Sequence, residues 1–169
     1  MPEANPPSLE IRMFGGFDVR INGIQSPSFG TLREQRLLAR LVLLHGKDIS
    51  CNWIARSLWP DNPEEQGQFY FRKALSNLRK ALGEEASRLQ TNGSRIIRIN
   101  LDGAFVDVIA FDKAVRASDL ESQIEAANLH VGPLFPECQE DWASQERARR
   151  EQLFATVLER LSTNDILAK

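Results

Sequence analysis

The chain has 169 residues, 42% of them apolar, and carries 21 Lys and Arg against 23 Asp and Glu for a net charge of −2. That is enough for one domain or two small ones, and no apolar run reaches the about 18 residues that would cross a bilayer. The start, MPEANPPSLE, has neither the basic nor the apolar region of a secretory leader. Cys51 and Cys138 stand far apart with no CxxC neighbour, which argues against a zinc site or disulfide framework and fits a reducing cytoplasm. The charge is unevenly spread: residues 1–102 hold 14 cations and 11 acids (+3), and residues 103–169 hold 7 and 12 (−5). A basic half joined to an acidic half suggests two modules with different partners.

Residues 1–8, rich in Pro, read as a loose tail. Leu9, Ile11 and Met13 then alternate with Glu10 and Arg12, and Phe17, Val19 and Ile21 alternate with Asp18, Arg20 and Asn22. Both are period-two strand patterns. Gly15-Gly16 between them predicts a tight turn or bulge, because no GKS/T or GxGxxG follows to make a phosphate loop. Asn22-Gly23 is a turn signal before a short strand at Ile24-Gln25. LREQRLLARLVLLHG, 32–46, reads as a helix whose broad face is Leu37, Leu38, Leu41, Val42 and Leu44, with Gly46 just past its end. Ser50 is a cap for a second helix over 51–59, with Ile54, Leu58 and Trp59 inward and Pro60 as its stop. Asn62-Pro63 opens a third helix, with Glu64 and Glu65 in its first turn and Gly83 at its end. LQTNGSRIIRINL, 89–101, predicts a hairpin turning at Asn92-Gly93, with Ile97, Ile99 and Leu101 on one side. A linker near Asp102-Gly103 leads to helices in AFDKAVRAS and LESQIEAANLHVG, the latter broken by Gly132-Pro133. A last helix from Asp141 to Leu161 has Trp142, Leu153, Phe154, Val157, Leu158 and Leu161 as its stripe.

The stretch FYFRKALSNLRKALG, 69–83, holds four cations, and no acid occurs between Gln66 and Gly83. At 3.6 residues per turn, Leu75, Leu78 and Leu82 fall within about 40° of Phe71, which makes that face core. Phe69, Lys73, Ser76, Asn77 and Lys80 fall opposite, with Arg72 and Arg79 on one flank and Tyr70 on the other. Solvated helices commonly mix Glu with Lys at i,i+4, and this one does not. A basic helix that comes third of three, followed by a hairpin carrying Arg95 and Arg98, suits a duplex: the helix in the major groove, the hairpin beside it. The candidate DNA-contact set is Phe69, Tyr70, Arg72, Lys73, Ser76, Asn77, Arg79, Lys80, Asn92, Ser94 and Arg95.

These segments resemble, in number, order and spacing, the bacterial antibiotic regulatory protein family: an OmpR-type winged helix joined to a bacterial transcriptional activator domain. LEIRMFGGFDVRING is similar to the family's opening strands, LLARLVLLHGKDIS to its first helix, and SLWPDNPEE to its Leu-Trp-Pro-Asp signature at Leu58–Asp61. ALSNLRKALG resembles the recognition helix. FVDVIAFDKAV, with Asp107 and Phe111, resembles the entry to the activator domain, and GPLFPECQEDWASQERARREQL a later segment of it. The likeness covers about residues 9–163. It implies an α+β chain: a winged helix-turn-helix with a small N-terminal antiparallel sheet over 9–103, then an all-α tetratricopeptide-like segment over 104–169. It also implies a transcriptional activator that binds double-stranded promoter DNA on direct repeats, through a recognition helix at about 63–82 and a wing at about 89–101. Head-to-tail homodimers on DNA and contact with RNA polymerase through the loop Pro60–Glu65 follow from the same likeness, while no cofactor and no enzymatic activity are expected because the sequence offers no paired nucleophile and base, metal cluster or phosphate loop. The chain departs from the family in three places. Tyr70 stands where Asn is frequent, Ile96-Ile97 where the wing has Gly-Tyr, and the activator domain is short, so its final helix is expected to fold back on the winged helix, to pair with another copy, or to belong to a cut-down form of a longer chain.

Other residues carry blander readings. His45 and His130 sit at helix ends, with no HExxH spacing for a metal. Cys51, at a helix start, is placed for a lowered thiol pKa, but no base lies near it in sequence. Trp53, Trp59 and Trp142 read as core or interdomain anchors, Arg147, Arg149 and Arg150 as a solvated face, and Asp107 as a cap or hydrogen-bond acceptor. The rival to DNA binding is a protein-interaction module, in which the acidic helical half docks a partner along Leu153, Val157 and Leu161 and the winged helix is only a scaffold.

Overall fold

The computed structural model describes residues 7–26, 29 and 31–168, with side chains through 164. The tail expected at 1–8 lies, up to residue 6, outside the described residues. Its last residue is tied down: the Ser8 carbonyl accepts from Asn22 N–H at 2.9 Å. The chain is α+β and forms two compact units, Met1–Leu9 with Val19–Ala104, and Glu10–Asp18 with Phe105–Lys169. No helix among the described residues is long and apolar enough to cross a membrane.

In the first unit, strand β2 (Asp18–Ile21) turns back through Asn22-Gly23 to β3 (Ile24–Gln25). Helix α1 spans Leu32–Leu43, two residues short of the end that Gly46 marked in the sequence, and buries Leu37, Leu38, Leu41 and Val42. Strand β4 (Ile49–Ser50) leads directly into α2 (Cys51–Leu58), whose N-terminus is capped as predicted: Ser50 Oγ accepts from Trp53 N–H at 3.2 Å. Helix α3 (Glu64–Leu82) buries Phe71, Ala74, Leu75, Leu78 and Leu82. Each large side chain of that stripe contributes roughly 1.5–3 kcal/mol by leaving water. Gly83, at φ +59°, ends the helix in a conformation that costs glycine nothing. A 3-10 turn, Gly83–Arg88, leads to the hairpin of β5 (Leu89–Asn92) and β6 (Ile96–Ile99). Arg88 pins it by donating to Glu85, at 2.7 Å, and to the carbonyls of Asn100 and Asp102. Its hydrogen bond, helped by Ser8, holds the Glu85 carboxyl below the usual range.

Leu89 pairs with Ile99 and Thr91 with Ile97, so these four share one face, on which Leu89, Ile97 and Ile99 are buried and Thr91 is exposed, while Gln90 and Arg98 lie on the other. One pairing was not expected. Strand β4 joins β6, with Ile49 opposite Ile97 and Ser50 opposite Ile96, and Cys51 N–H donates to the Arg95 carbonyl at 2.8 Å. The hairpin is thereby fixed to the first turn of α2.

In the second unit, β1 (Leu9–Arg12) pairs through Glu10 and Ile11 with β7 (Phe105–Val106), and the pairing is parallel. This is the physical reason that Glu10–Asp18, read from its strand pattern as part of the first module, clusters with the helices. Asp107 reinforces it from the first residue of α4 (Asp107–Arg116). Its carboxylate accepts from Met13 N–H, 2.9 Å from each oxygen, and from Phe14 N–H at 3.0 Å. Burial pushes this carboxyl up, against the pull of those backbone donors. Helix α5 (Leu120–Leu129) is capped by Asp119, and α6 runs Asp141–Ala168, beyond the Leu161 expected. Trp142 and Val157 are buried, whereas Leu158 is 44% exposed.

Two arginines expected on a solvated face are built in. Arg147 donates to the carbonyls of Leu134, Phe135 and Cys138 at 2.8, 2.7 and 2.6 Å, holding a loop in which Phe135 has φ +41°. Arg150 is 3% exposed and binds Asp112 and Glu146. Only Arg149 is exposed. His130 is buried and stacks on Phe154 with centroids 4.1 Å apart.

Gly15 and Gly132 touch backbone to backbone, beside a hydrogen bond of 2.8 Å from Gly15 N–H to the Pro133 carbonyl. A Cβ on Gly132 would lie 2.8 Å from the Gly15 Cα. Gly132→Ala is therefore expected to destabilise the chain by about 1–3 kcal/mol, measured by urea unfolding. An unchanged midpoint would mean that the two turns separate without cost.

Candidate nucleic-acid interface

The exposed side of α3 divides into three stripes. Gln68, Arg72 and Arg79 line the side toward the hairpin. Phe69, Lys73, Ser76 and Lys80 form the outer stripe, all exposed. Tyr70 and Asn77 form the third, toward α1, and both are half-buried.

The third stripe is engaged within the unit. Asn77 Nδ2 donates to Glu34 Oε1 at 2.9 Å, and Glu34 is 5% exposed. Asn77 was expected to face outward, but the buried carboxylate of Glu34 needs a donor, and Asn77 supplies it. Tyr70 accepts from Gln66 Nε2 at 3.1 Å and lies beneath the Arg33 guanidinium, 5.1 Å from the ring centroid.

Between α3, the first turn of α2 and the hairpin lies a cleft of about 640 Å³. Arg72, Arg79 and Arg95 stand on its walls with Ser50, Thr91 and Ser94, and no acid lines it. Arg79 Nη2 reaches Thr91 Oγ1 at 3.4 Å, linking helix to hairpin. Asn92, Ser94 and Arg95 are exposed at the hairpin turn. Among the described residues, no ion pair or side-chain hydrogen bond engages Arg72, Lys73, Lys80 or Arg95. Arg98, in contrast, is paired with Asp48 at 3.7 Å. The arrangement offers unneutralised cations and hydroxyls along a groove, with an outer helical stripe beside it, a combination suited to an anionic backbone flanked by hydrogen-bonding edges.

Sequence reasoning missed the cleft residues contributed by Ser50, Asn52, Gln68 and Thr91. Gln68 had a signal, since it stands four residues before Arg72 on one helical stripe. Asn52, which accepts from Gln68 Nε2, had none, because the packing of α2 against α3 brings it there. Trp53, read as an anchor, is 46% exposed and lies 5.0 Å from the Arg40 guanidinium. Trp59 is half-buried, and only Trp142 is buried. The Cys51 thiol is pushed up by burial, against a backbone hydrogen bond that lowers it, which reverses the expected activation. The loop Pro60–Glu65 is exposed except at half-buried Asn62. Among the described residues, no group of three or more His, Cys, Asp or Glu is placed to hold a metal ion.

No family model matches the chain, and no curated protein matches it in sequence. Its fold is similar to that of a solved structure, Mycobacterium tuberculosis EmbR in complex with low affinity phosphopeptide, with a TM-score of 0.68 and 19% sequence identity. The match covers 89% of this chain and 44% of the EmbR chain, so the protein spans less than half the length of the structure it resembles.

Proposed function

We propose that the protein is a sequence-specific DNA-binding transcriptional regulator of the winged helix-turn-helix kind, an activator that binds promoter DNA as a homodimer on direct repeats. In this reading residues 9–103 serve as the DNA-binding domain and 104–169 as a helical activator-type domain. Helix α3 enters the major groove, and Lys73, Ser76 and Lys80 meet bases or their flanking phosphates. The β5–β6 hairpin acts as the wing, and the cleft carrying Arg72, Arg79 and Arg95 receives the sugar–phosphate backbone that runs between helix and wing. The loop Pro60–Glu65 is the proposed surface for RNA polymerase.

The observation that carries this reading is the α3 face free of acid from Gln66 to Leu82, which continues into an acid-free cleft shared with the hairpin. A surface selected only for solubility would mix both signs. The test is retention of a randomised duplex DNA pool at two salt concentrations, followed by sequencing. An enriched motif, repeated in direct orientation, is the expected result. Salt-sensitive retention without enrichment would remove sequence specificity, and no retention at low salt would remove DNA binding. In that last case the protein-interaction reading takes its place, favoured by Leu120, Ile124 and Leu158, which are 44–50% exposed on α5 and α6.

A further inference from the structure

The outer stripe of α3 contains one residue that charge does not explain. Phe69 is 54% exposed on a helix whose core positions are already filled by Phe71, Leu75, Leu78 and Leu82. It is not loose. Its ring packs edge-on against Tyr70 at 5.9 Å, and Tyr70 in turn lies 6.2 Å from Trp59 and under Arg33. This row of rings fixes an apolar plate in the N-terminal third of α3, on the same stripe as Lys73, Ser76 and Lys80. Every guanidinium found over a ring among the described residues covers another aromatic, namely Phe105, Tyr70 or Trp53, and leaves Phe69 bare.

The N-terminal part of a recognition helix is the part that meets base edges. A major groove presents hydrogen-bonding atoms from all four bases but a single apolar group, the thymine C5-methyl. A charged or polar side chain gains nothing from that methyl, whereas a rigid phenyl ring does. Resting on the DNA-binding reading above, we infer that Phe69 is a specificity residue that reads thymine methyl groups, so that the operator carries thymine where Phe69 lies.

The experiment uses the full chain and a duplex enriched from the random pool, in which each thymine is replaced in turn by deoxyuridine. Uracil keeps every hydrogen-bonding atom and lacks only the methyl. For the wild type, substitution at the contacted thymine is expected to lower affinity roughly four-fold, the equivalent of one buried methyl group. Phe69→Ala is expected to bind the thymine and uracil duplexes equally, with an unchanged salt slope and an unchanged thermal melt. An enriched motif without thymine, wild-type indifference to uracil at every position, or Phe69→Ala retaining the discrimination would each overturn the inference while leaving DNA binding intact. So would a wild-type dimer that Phe69→Ala converts to monomer in the absence of DNA, because Phe69 would then be covered by a second copy. If no duplex is enriched at all, the sequence-specific part of the DNA-binding reading fails, and this inference falls with it.

Discussion

Replacing Lys73 and Lys80 together by alanine is expected to weaken binding to duplex DNA roughly thirty-fold at 0.15 M salt, and to reduce the slope of log affinity against log salt by about 1.8. Both figures follow from counterion release: each phosphate neutralised frees about 0.9 of a condensed cation, and the gain depends on the bulk salt into which it escapes. The two lysines are exposed on the outer stripe, and neither is held by a partner among the described residues. Their removal therefore leaves no buried group unpaired, and the fold should be unaffected. The matched control is Lys113→Ala with Arg116→Ala, two exposed cations of α4 in the other unit, which changes the net charge by the same amount. That pair should leave the slope unchanged, because counterion release counts contacts made and not total charge. Fluorescence anisotropy across a salt series separates the cases. Equal slopes for the wild type and the Lys73/Lys80 variant would mean that the outer stripe of α3 does not meet the phosphates.

The order of elements was legible because local physics sets it. Period-two alternation marked β1 and β2, a Ser before an apolar run marked the start of α2, and Gly83 marked the end of α3. The core stripe of α3 followed from helical geometry alone. What the sequence hid depends on partners distant along the chain. Two-residue strands such as β4 and β7 are too short to show a period, so neither the anchoring of the hairpin to α2 nor the parallel β1–β7 pairing could be read. Asp107 could be read as a cap or a hydrogen-bond acceptor, and it is an acceptor, but its donors could not be named, because Met13 and Phe14 lie more than 90 residues earlier.

The candidate interface was partly legible for the same reason. The outer stripe of α3 needs only 3.6 residues per turn, and Lys73, Ser76 and Lys80 are exposed where the helix geometry put them. Asn77 lies only about 20° from Tyr70 on that projection, so it shares the flank that packs toward α1, where a buried glutamate claims it. The cleft needs the tertiary pairing of β4 with β6 and could not be inferred from any one segment.

Arg150 is a position where a single polar-to-apolar substitution is expected to destabilise the second unit. Alternating with Glu146 and Glu151, it has the sequence signature of a solvated helix face, yet it lies 3% exposed between α6 and α4. Its guanidinium forks onto Asp112, with Nη2 2.8 Å from Oδ2 and Nε 3.2 Å from Oδ1, and its Nη1 bonds Glu146 Oε2. Burial pulls the guanidinium pKa down, but the hydrogen bonds and charges of the two carboxylates outweigh it and hold the group above its ordinary value. Arg150→Met would leave Asp112 and Glu146 facing apolar surface. Removing one member of a buried pair costs about 3–5 kcal/mol when the remaining charge stays dry. Here the carboxylate side chains are 25% and 28% exposed and can turn toward water, which lowers the expected loss to about 2–3 kcal/mol. Urea unfolding followed by circular dichroism measures it, and adding Asp112→Asn and Glu146→Gln to Arg150→Met should restore much of the loss, because the orphaned charges are then gone. A single variant within about 0.5 kcal/mol of wild type would mean that water already serves both carboxylates and that α6 is held to α4 by its apolar contacts alone.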